Sequence, residues 1–293
     1  MADLLIRGMA AHGMIRFVAE QSTDMVERMR TIHRTLPLAT AALGRTLTAC
    51  SMMGDDIKND NGSVTLQIRC GGPLGSITAV ADAHGNARGY LQNPAVELPL
   101  RPYGKLDVGG GVGADGVLTV LRDMGEGEPF SGRVELQSGE IAEDVAAYFA
   151  VSEQVPTVCA LGVLVGRDQS VTCAGGFMIQ LMPGADDELI TELEKRIAAF
   201  GSVTGHLQKQ SIEQAMAALF DGMDVEVLDR HPVAYECKCS RGKVEQALLS
   251  MGRDELLKLA DSGEDTHVTC QFCDADYAFT PEELRALLSN QKN

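Results

Sequence analysis

Cys237-Lys238-Cys239, then thirty residues, then Cys270-Gln271-Phe272-Cys273: this stretch decides how the chain is read. Four thiols in two tight pairs suit a tetrahedral metal, because Zn²⁺ accepts four cysteine sulfurs and closes its shell without an open position. Each pair supplies two ligands from a short turn, and the residues between let the turns meet. All-thiolate tetrahedral ligation favours zinc or iron. The expected ligands are Cys237, Cys239, Cys270 and Cys273, holding one Zn²⁺ per chain. A purely structural metal site satisfies the pattern. A switch satisfies it too, since thiolates oxidise, the metal leaves and each pair can close on itself. In the Cys-x-Cys pair the Cα atoms lie about 6–7 Å apart when extended, near the limit for a disulfide, so a bridge there is strained and reducible. The Cys-x-x-Cys pair closes more easily, because a turn brings residues i and i+3 within about 7 Å.

The whole chain of 293 residues can hold two domains or one core with appendages. A hydrophobic fraction of 45% supports a real core, and with no Trp and 4% aromatics its packing is aliphatic. A net charge of −16 argues against a nucleic-acid surface, which needs clustered Lys and Arg. Residues 231–293 alone carry eleven Asp/Glu against seven Lys/Arg, a net of −4. The start, Met1-Ala2-Asp3-Leu4-Leu5-Ile6-Arg7, has no basic stretch leading a long apolar run, and the aliphatic run from Val158 to Val165 is too short to span a bilayer. Eight cysteines without an export signal read as reduced thiols and metal ligands. The expectation is a cytoplasmic protein without membrane or nucleic-acid partners.

Working backwards from the cysteines, His231-Pro232 separates their module from a helical segment. That segment carries one apolar stripe at Leu189, Leu193, Ile197 and Phe200 and a second at Ile212, Met216, Leu219 and Phe220. Neither stripe has a large core of its own, so both must rest on a neighbour. Pro183-Gly184 marks the change from strands to helices. Upstream, residues 3–9 and 15–19 alternate as strands, Asp24 with Glu27 forms a capping-box pattern, and Pro37 to Gly54 reads as a longer helix. Asp55 to Gly62 is polar, so adjacent Asp55-Asp56 is expected in a solvated loop. Residues 64–91 alternate as an antiparallel meander. Gly111-Val112-Gly113-Ala114-Asp115-Gly116 matches a dinucleotide fingerprint, but a strand, Val117 to Leu121, follows it where a helix is required. Ser138 is placed as the cap of a helix from Ile141 to Phe149. Val158 to Val165 and Val171 to Leu181 read as paired strands, with Cys173 facing Val163 and Cys159 four residues away. Cys50, Cys70, Cys159 and Cys173 are expected as core thiols. The fold class is α+β: an antiparallel-sheet-rich N-terminal core with helices (1–182), a helical linker (183–230) and a small C-terminal Cys₄ zinc domain (231–293).

Four segments together resemble a known family: Cys237-Lys238-Cys239-Ser240, Cys270-Gln271-Phe272-Cys273, Ser138-Gly139-Glu140-Ile141-Ala142-Glu143-Asp144 and Ser152-Glu153-Gln154-Val155-Pro156-Thr157. The chain is similar along nearly its whole length to the redox-regulated holdase chaperones called heat-shock protein thirty-three. The resemblance implies an inactive form that is reduced and zinc-bound. It implies activation by oxidants and unfolding conditions together, through disulfides Cys237–Cys239 and Cys270–Cys273, zinc release and loss of linker structure. The activated protein would be a homodimer that holds unfolding client proteins without ATP and without enzymatic activity. Gly242 departs from the family, whose members commonly carry Glu there, and puts the tuning around the thiols in question. Two other functions fit the residues: a constitutive zinc-ribbon adaptor for a protein or RNA partner, and a thiol-disulfide oxidoreductase. The acidic charge weakens the RNA form of the first, and a zinc hairpin in place of βαβ around the Cys-x-x-Cys weakens the second.

Overall fold

Alternating apolar residues at the head of the chain form β1 (Leu4–Ala10) and β2 (Ile15–Gln21), a hairpin that helices α1 (Thr23–His33) and α2 (Pro37–Gly54) follow. The structure is a computed structural model that describes residues 2–290, and its contacts divide it into two units, Met1–Glu236 and Cys237–Asn293. The first unit continues through β3 (Ser63–Cys70), β4 (Ile77–Asp82), β5 (Ala87–Leu91), α3 (Val108–Val112), β6 (Gly116–Asp123), β7 (Phe130–Glu135) and α4 (Ala142–Tyr148). It closes with β8 (Thr157–Val165), β9 (Val171–Leu181), α5 (Asp187–Phe200), α6 (Val203–Leu207), α7 (Ile212–Leu219) and β10 (Glu226–Pro232). Two antiparallel sheets result, one ordered β10-β1-β2-β9-β8 and the other β5-β4-β3-β6-β7.

Helix α2 is buried on all sides except at Pro37 and Arg45, as a helix packed against both sheets must be. Its small residues let the strands come close: a Cβ on Gly44 would stand 2.6 Å from Val26 and 2.9 Å from Val163. Its buried hydroxyls are satisfied locally. Thr46 and Thr48 donate to the carbonyls of Ala42 and Gly44, each at 2.9 Å.

The opposite face of the first sheet presents Ile6, Ile15, Phe17, Ala19, Phe177 and Ile179, and helices α5, α6 and α7, where the sequence places a linker, cover it. Leu193 is buried there, with Leu189, Ile197 and Phe200 packed beside it, and Ile212, Met216, Leu219 and Phe220 bury the second stripe. Phe220 packs on Phe17 with ring centroids 5.2 Å apart, and Phe200 meets Phe177 edge-on at 5.6 Å. Arg196 of α5 donates to the carbonyls of Leu219 and Asp221, at 3.3 and 2.7 Å, tying α5 to the end of α7.

Five local readings change. His231 and Pro232 lie in a strand, β10, whose pairing with β1 uses Gly8: a Cβ there would strike the Glu226 carbonyl at 2.3 Å. The start of α1 is held by Asp3, whose carboxylate accepts from the amides of Asp24 (3.0 Å) and Met25 (2.6 Å), while Glu27 turns to Arg30 and the Val171 amide. Helix α4 begins at Ala142, and Asp144 rather than Ser138 organises its entry by accepting from the amides of Gln137, Ser138 and Ile141. Asp55 is buried and paired with Arg7, and Asp56 pairs with Arg16, so the loop they begin is not simply solvated. A bulge at Leu164/Val165 moves the partner of Cys173 to Leu164.

The second unit contains α8 (Arg241–Ser250), α9 (Arg253–Asp261), the hairpin β11 (Thr266–Thr269) and β12 (Asp276–Phe279), and α10 (Pro281–Asn290). Thr280 and Glu283 form the capping box read from the sequence: the Glu283 amide donates to Thr280 Oγ1 (3.3 Å) and the Thr280 amide to Glu283 Oε2 (2.9 Å). One apolar cluster around Leu248, Leu256, Phe279, Leu284 and Leu288 joins its helices and hairpin. Arg241 braces it, stacking 4.2 Å above the Phe279 ring and donating to the Ala278 carbonyl and Glu283.

Candidate metal centre

Two short backbone devices present the four thiols. After Cys239, the Ser240 hydroxyl accepts from the Lys243 amide at 3.3 Å and starts α8, while Lys243 Nζ donates to the Lys238 carbonyl at 2.7 Å. The carbonyl between the two cysteines is thereby fixed. At the other pair, the Cys270 amide donates to the Ala275 carbonyl and the Asp274 amide to the Cys270 carbonyl, both at 2.9 Å. Asp274 adopts the left-handed conformation (φ 57°) that Asp tolerates in such a turn.

These devices bring Cys237, Cys239, Cys270 and Cys273 together, with all four Sγ atoms within 4.8 Å of one another. Cys237 Sγ stands 3.7 Å from Cys270 Sγ, and Cys239 Sγ 3.4 Å from Cys273 Sγ. A tetrahedral ion with metal–sulfur bonds of about 2.3 Å requires sulfurs about 3.8 Å apart. The donor set fits such an ion in type, number and spacing. His267 is engaged elsewhere, its Nδ1 lying 2.7 Å from Asp276 Oδ2.

The sulfurs are not equivalent. Tyr277 donates its hydroxyl to Cys239 Sγ at 3.1 Å, which brings that thiol down to about 7, and the same bond raises the Tyr277 hydroxyl to about 12. Burial lifts Cys273 to about 12, with the neighbouring sulfurs adding to the rise, and burial also raises Cys237. A bound dication would favour the thiolate at every position and release the protons. Tyr277 was not evident as a partner from the sequence. Its signal is the alternation of β12, which puts Tyr277 four residues past Cys273 on the strand leaving the turn.

The other four cysteines take no part in this cluster. Cys50 donates to the Val64 carbonyl at 3.4 Å and Cys70 to the Gly75 carbonyl at 2.7 Å. Cys173 faces the linker helices and donates to the Thr204 carbonyl, whereas Cys159 faces the core around α2. The last two therefore lie on opposite faces of their sheet as well as out of register. All four are free thiols.

Comparison with known proteins agrees with this arrangement. Residues 3–280 match the family model described as Hsp33 protein. The chain is 46% identical over 294 residues to a 33 kDa chaperonin of Clostridium perfringens, covering 100% of this chain and 92% of the relative. It is 46% identical over 288 residues to a 33 kDa chaperonin of Agathobacter rectalis, covering 98% and 100%. A solved structure, the 33 kDa chaperonin (heat shock protein 33 homolog) of Thermotoga maritima, superposes with a TM-score of 0.91 at 35% identity, covering 100% of this chain and 99% of the other. From Asp3 to the capping box of its last helix, this chain belongs to the Hsp33 family.

Proposed function

We propose that this member of a chaperone family is a redox-regulated, ATP-independent holdase, inactive while reduced and bound to Zn²⁺ through Cys237, Cys239, Cys270 and Cys273. The observation that carries the reading is the mutual approach of those four sulfurs. When bound, Zn²⁺ keeps the sulfurs as thiolates and ties the Cys-x-Cys segment to the Cys-x-x-Cys turn. Hydrogen peroxide oxidises the thiols of each pair to a disulfide, Cys237–Cys239 and Cys270–Cys273, taking two electrons per bond and leaving as two waters. Disulfide sulfurs no longer supply the anionic ligands a metal needs, so oxidation and metal loss go together. Cys270–Cys273 closes first, with less strain, and Cys237–Cys239 closes later under heat or denaturant.

The polypeptide itself gives the route from the module to the linker. Residues 233–236 run along the edge of β5, where the Ala87 amide donates to the Ala234 carbonyl and the Glu236 amide to the Ala87 carbonyl, both at 3.0 Å. Tyr235 anchors this strap by donating to the Gly89 carbonyl at 3.0 Å, and Cys237 follows two residues later. We assign residues 1–182 to the core, 183–230 to a conditionally folded linker and 231–293 to the switch. Unfolding of the linker uncovers the apolar sheet face at Phe17 and Phe177 together with the linker's own stripes, and these hold unfolding clients. The activated form is a cytoplasmic homodimer whose work is binding, with no catalytic residue and no nucleic-acid or membrane partner. Zinc release under peroxide, recorded alongside light scattering of a heated client protein, tests the reading. Release should accompany the gain of holdase activity. Full suppression of aggregation by a reduced chain that keeps its metal would favour a constitutive binder.

A further inference from the structure

Glu20 lies in β2 between Leu5 of β1 and Gly176 of β9. Strand alternation puts it on the side of α2 with Val18, away from the linker face that Phe17 and Ala19 occupy. It is wholly buried, and neither carboxyl oxygen has a hydrogen-bond partner. The neighbouring Ser51 hydroxyl donates to the Gly85 carbonyl at 2.6 Å; its influence on Glu20 favours the carboxylate, and burial outweighs it.

The charges around this carboxyl oppose ionisation. Asp3 at the head of β1 and Asp55 at the end of α2 both act on it, both are acidic, and both are buried. The Cys50 thiol of α2 is the other titratable group it influences. Cations stand one step further out and are committed to other acids. Arg7 of β1 pairs with Asp55 at 3.3 Å and with Asp229 of β10 at 3.0 Å, His231 of β10 lies 3.5 Å from Asp55, and Arg16 pairs with Asp56. Burial, the largest influence, holds the Glu20 carboxyl well above the usual carboxylate range.

We propose that Glu20 is a proton-gated weak point in the first unit: the fold holds it as an uncharged acid, and opening the layer between β2 and α2 releases its proton to water. A carboxylate there would be fully buried, without a hydrogen-bond donor, and beside two further acids. The sign follows from linkage. The folded state binds this proton more tightly than the open state, so the stabilising effect is complete at low pH and is lost as pH rises. Between the unfolded and folded values each pH unit shifts the opening equilibrium about tenfold. The device is independent of the cysteine module and does not rest on the redox reading.

Glu20→Gln keeps the shape and removes the proton. Urea unfolding of the full-length, reduced, zinc-loaded chain, read by pulse alkylation of Cys50 normalised to the unfolded chain at each pH, tests the proposal. Cys50 is buried on α2 and reports this layer. As pH rises from 6 to 8 the opening constant of the unsubstituted protein should rise relative to that of the variant, by up to about tenfold per pH unit, and the variant should have the higher midpoint at pH 8. Equal pH slopes, or a lower midpoint for the variant at pH 8, would overturn the proposal. If the variant fails to fold, the ¹³Cδ resonance of Glu20 in the unsubstituted protein decides. It should hold the position of a protonated acid at pH 6, where a solvated glutamate is ionised, and a carboxylate position there contradicts the proposal.

Discussion

The two units bury different things. Met1–Glu236 encloses a helix between two five-stranded sheets and covers the far face of one sheet with further helices. Among its described residues, Cys237–Asn293 buries six apolar side chains in one cluster and gathers four thiols. A core that small supplies fewer than sixty residues with only about 3–5 kcal/mol, whereas the first unit buries far more apolar surface. On the proposed reading, stability in one region rests on packing and in the other on sulfur chemistry.

Stripping the metal from the reduced chain with a chelator is the severest way to break this contrast. Structural zinc contributes on the order of 10–16 kcal/mol in small domains, so amides across 237–290 should exchange as in an unfolded chain while β1–β9 keep their protection. Protection that survives in the module would mean that its apolar cluster suffices.

The thiols carry the same contrast into reactivity. Burial pushes Cys50 and Cys159 up to about 12, while Tyr277 brings Cys239 down to about 7. At pH 7 Cys239 in the folded module therefore holds far more thiolate than Cys50 or Cys159. Timed alkylation of the metal-free chain should mark the four thiols of the released module far ahead of Cys50 and Cys159. Cys50 reacting as fast as Cys239 would erase the distinction.

The linker stands between the two regimes. Leu193→Asp places a charge against the buried sheet face and should weaken linker docking by several kcal/mol. Proteolysis between residues 183 and 231 should accelerate, with partial holdase activity in the absence of oxidant. A variant as resistant and as inactive as the parent would remove the linker from the switch. The smallest effect is expected at Gly242, in the first turn of α8, where a Cβ meets nothing within 4 Å. Gly242→Glu should stabilise the module by about 1 kcal/mol through helix propensity and the helix dipole, read as a small rise in the denaturation midpoint. No rise would show that the helix start is already fixed by Ser240 and Lys243.

Much of this was legible because local rules carried it. Cysteine spacing marked the candidate centre, Pro37 and Gly54 bounded α2, and the period of the linker stripes marked the side chains that became buried. What escaped depends on distant residues. Glu-Val-Leu-Asp-Arg-His-Pro has neither clean alternation nor strand composition, and becomes β10 because the edge of β1 accepts it beside Gly8. Asp3 caps a helix twenty residues away, and Asp144 gathers amides that precede its own helix. Ile141, held by that clamp at φ 67°, is a strained β-branched residue that no propensity suggests. Nor does composition single out Tyr277, whose hydroxyl reaches Cys239 across the fold of the module.

Hydrogen exchange of the full chain, before and after peroxide at raised temperature and read segment by segment, tests the division most directly. Protection should vanish across 237–290 and across the linker helices, persist in α2 and the strands β1–β9, and be lost in step with the appearance of holdase activity. A chain that suppresses client aggregation while residues 237–290 stay protected would contradict the account.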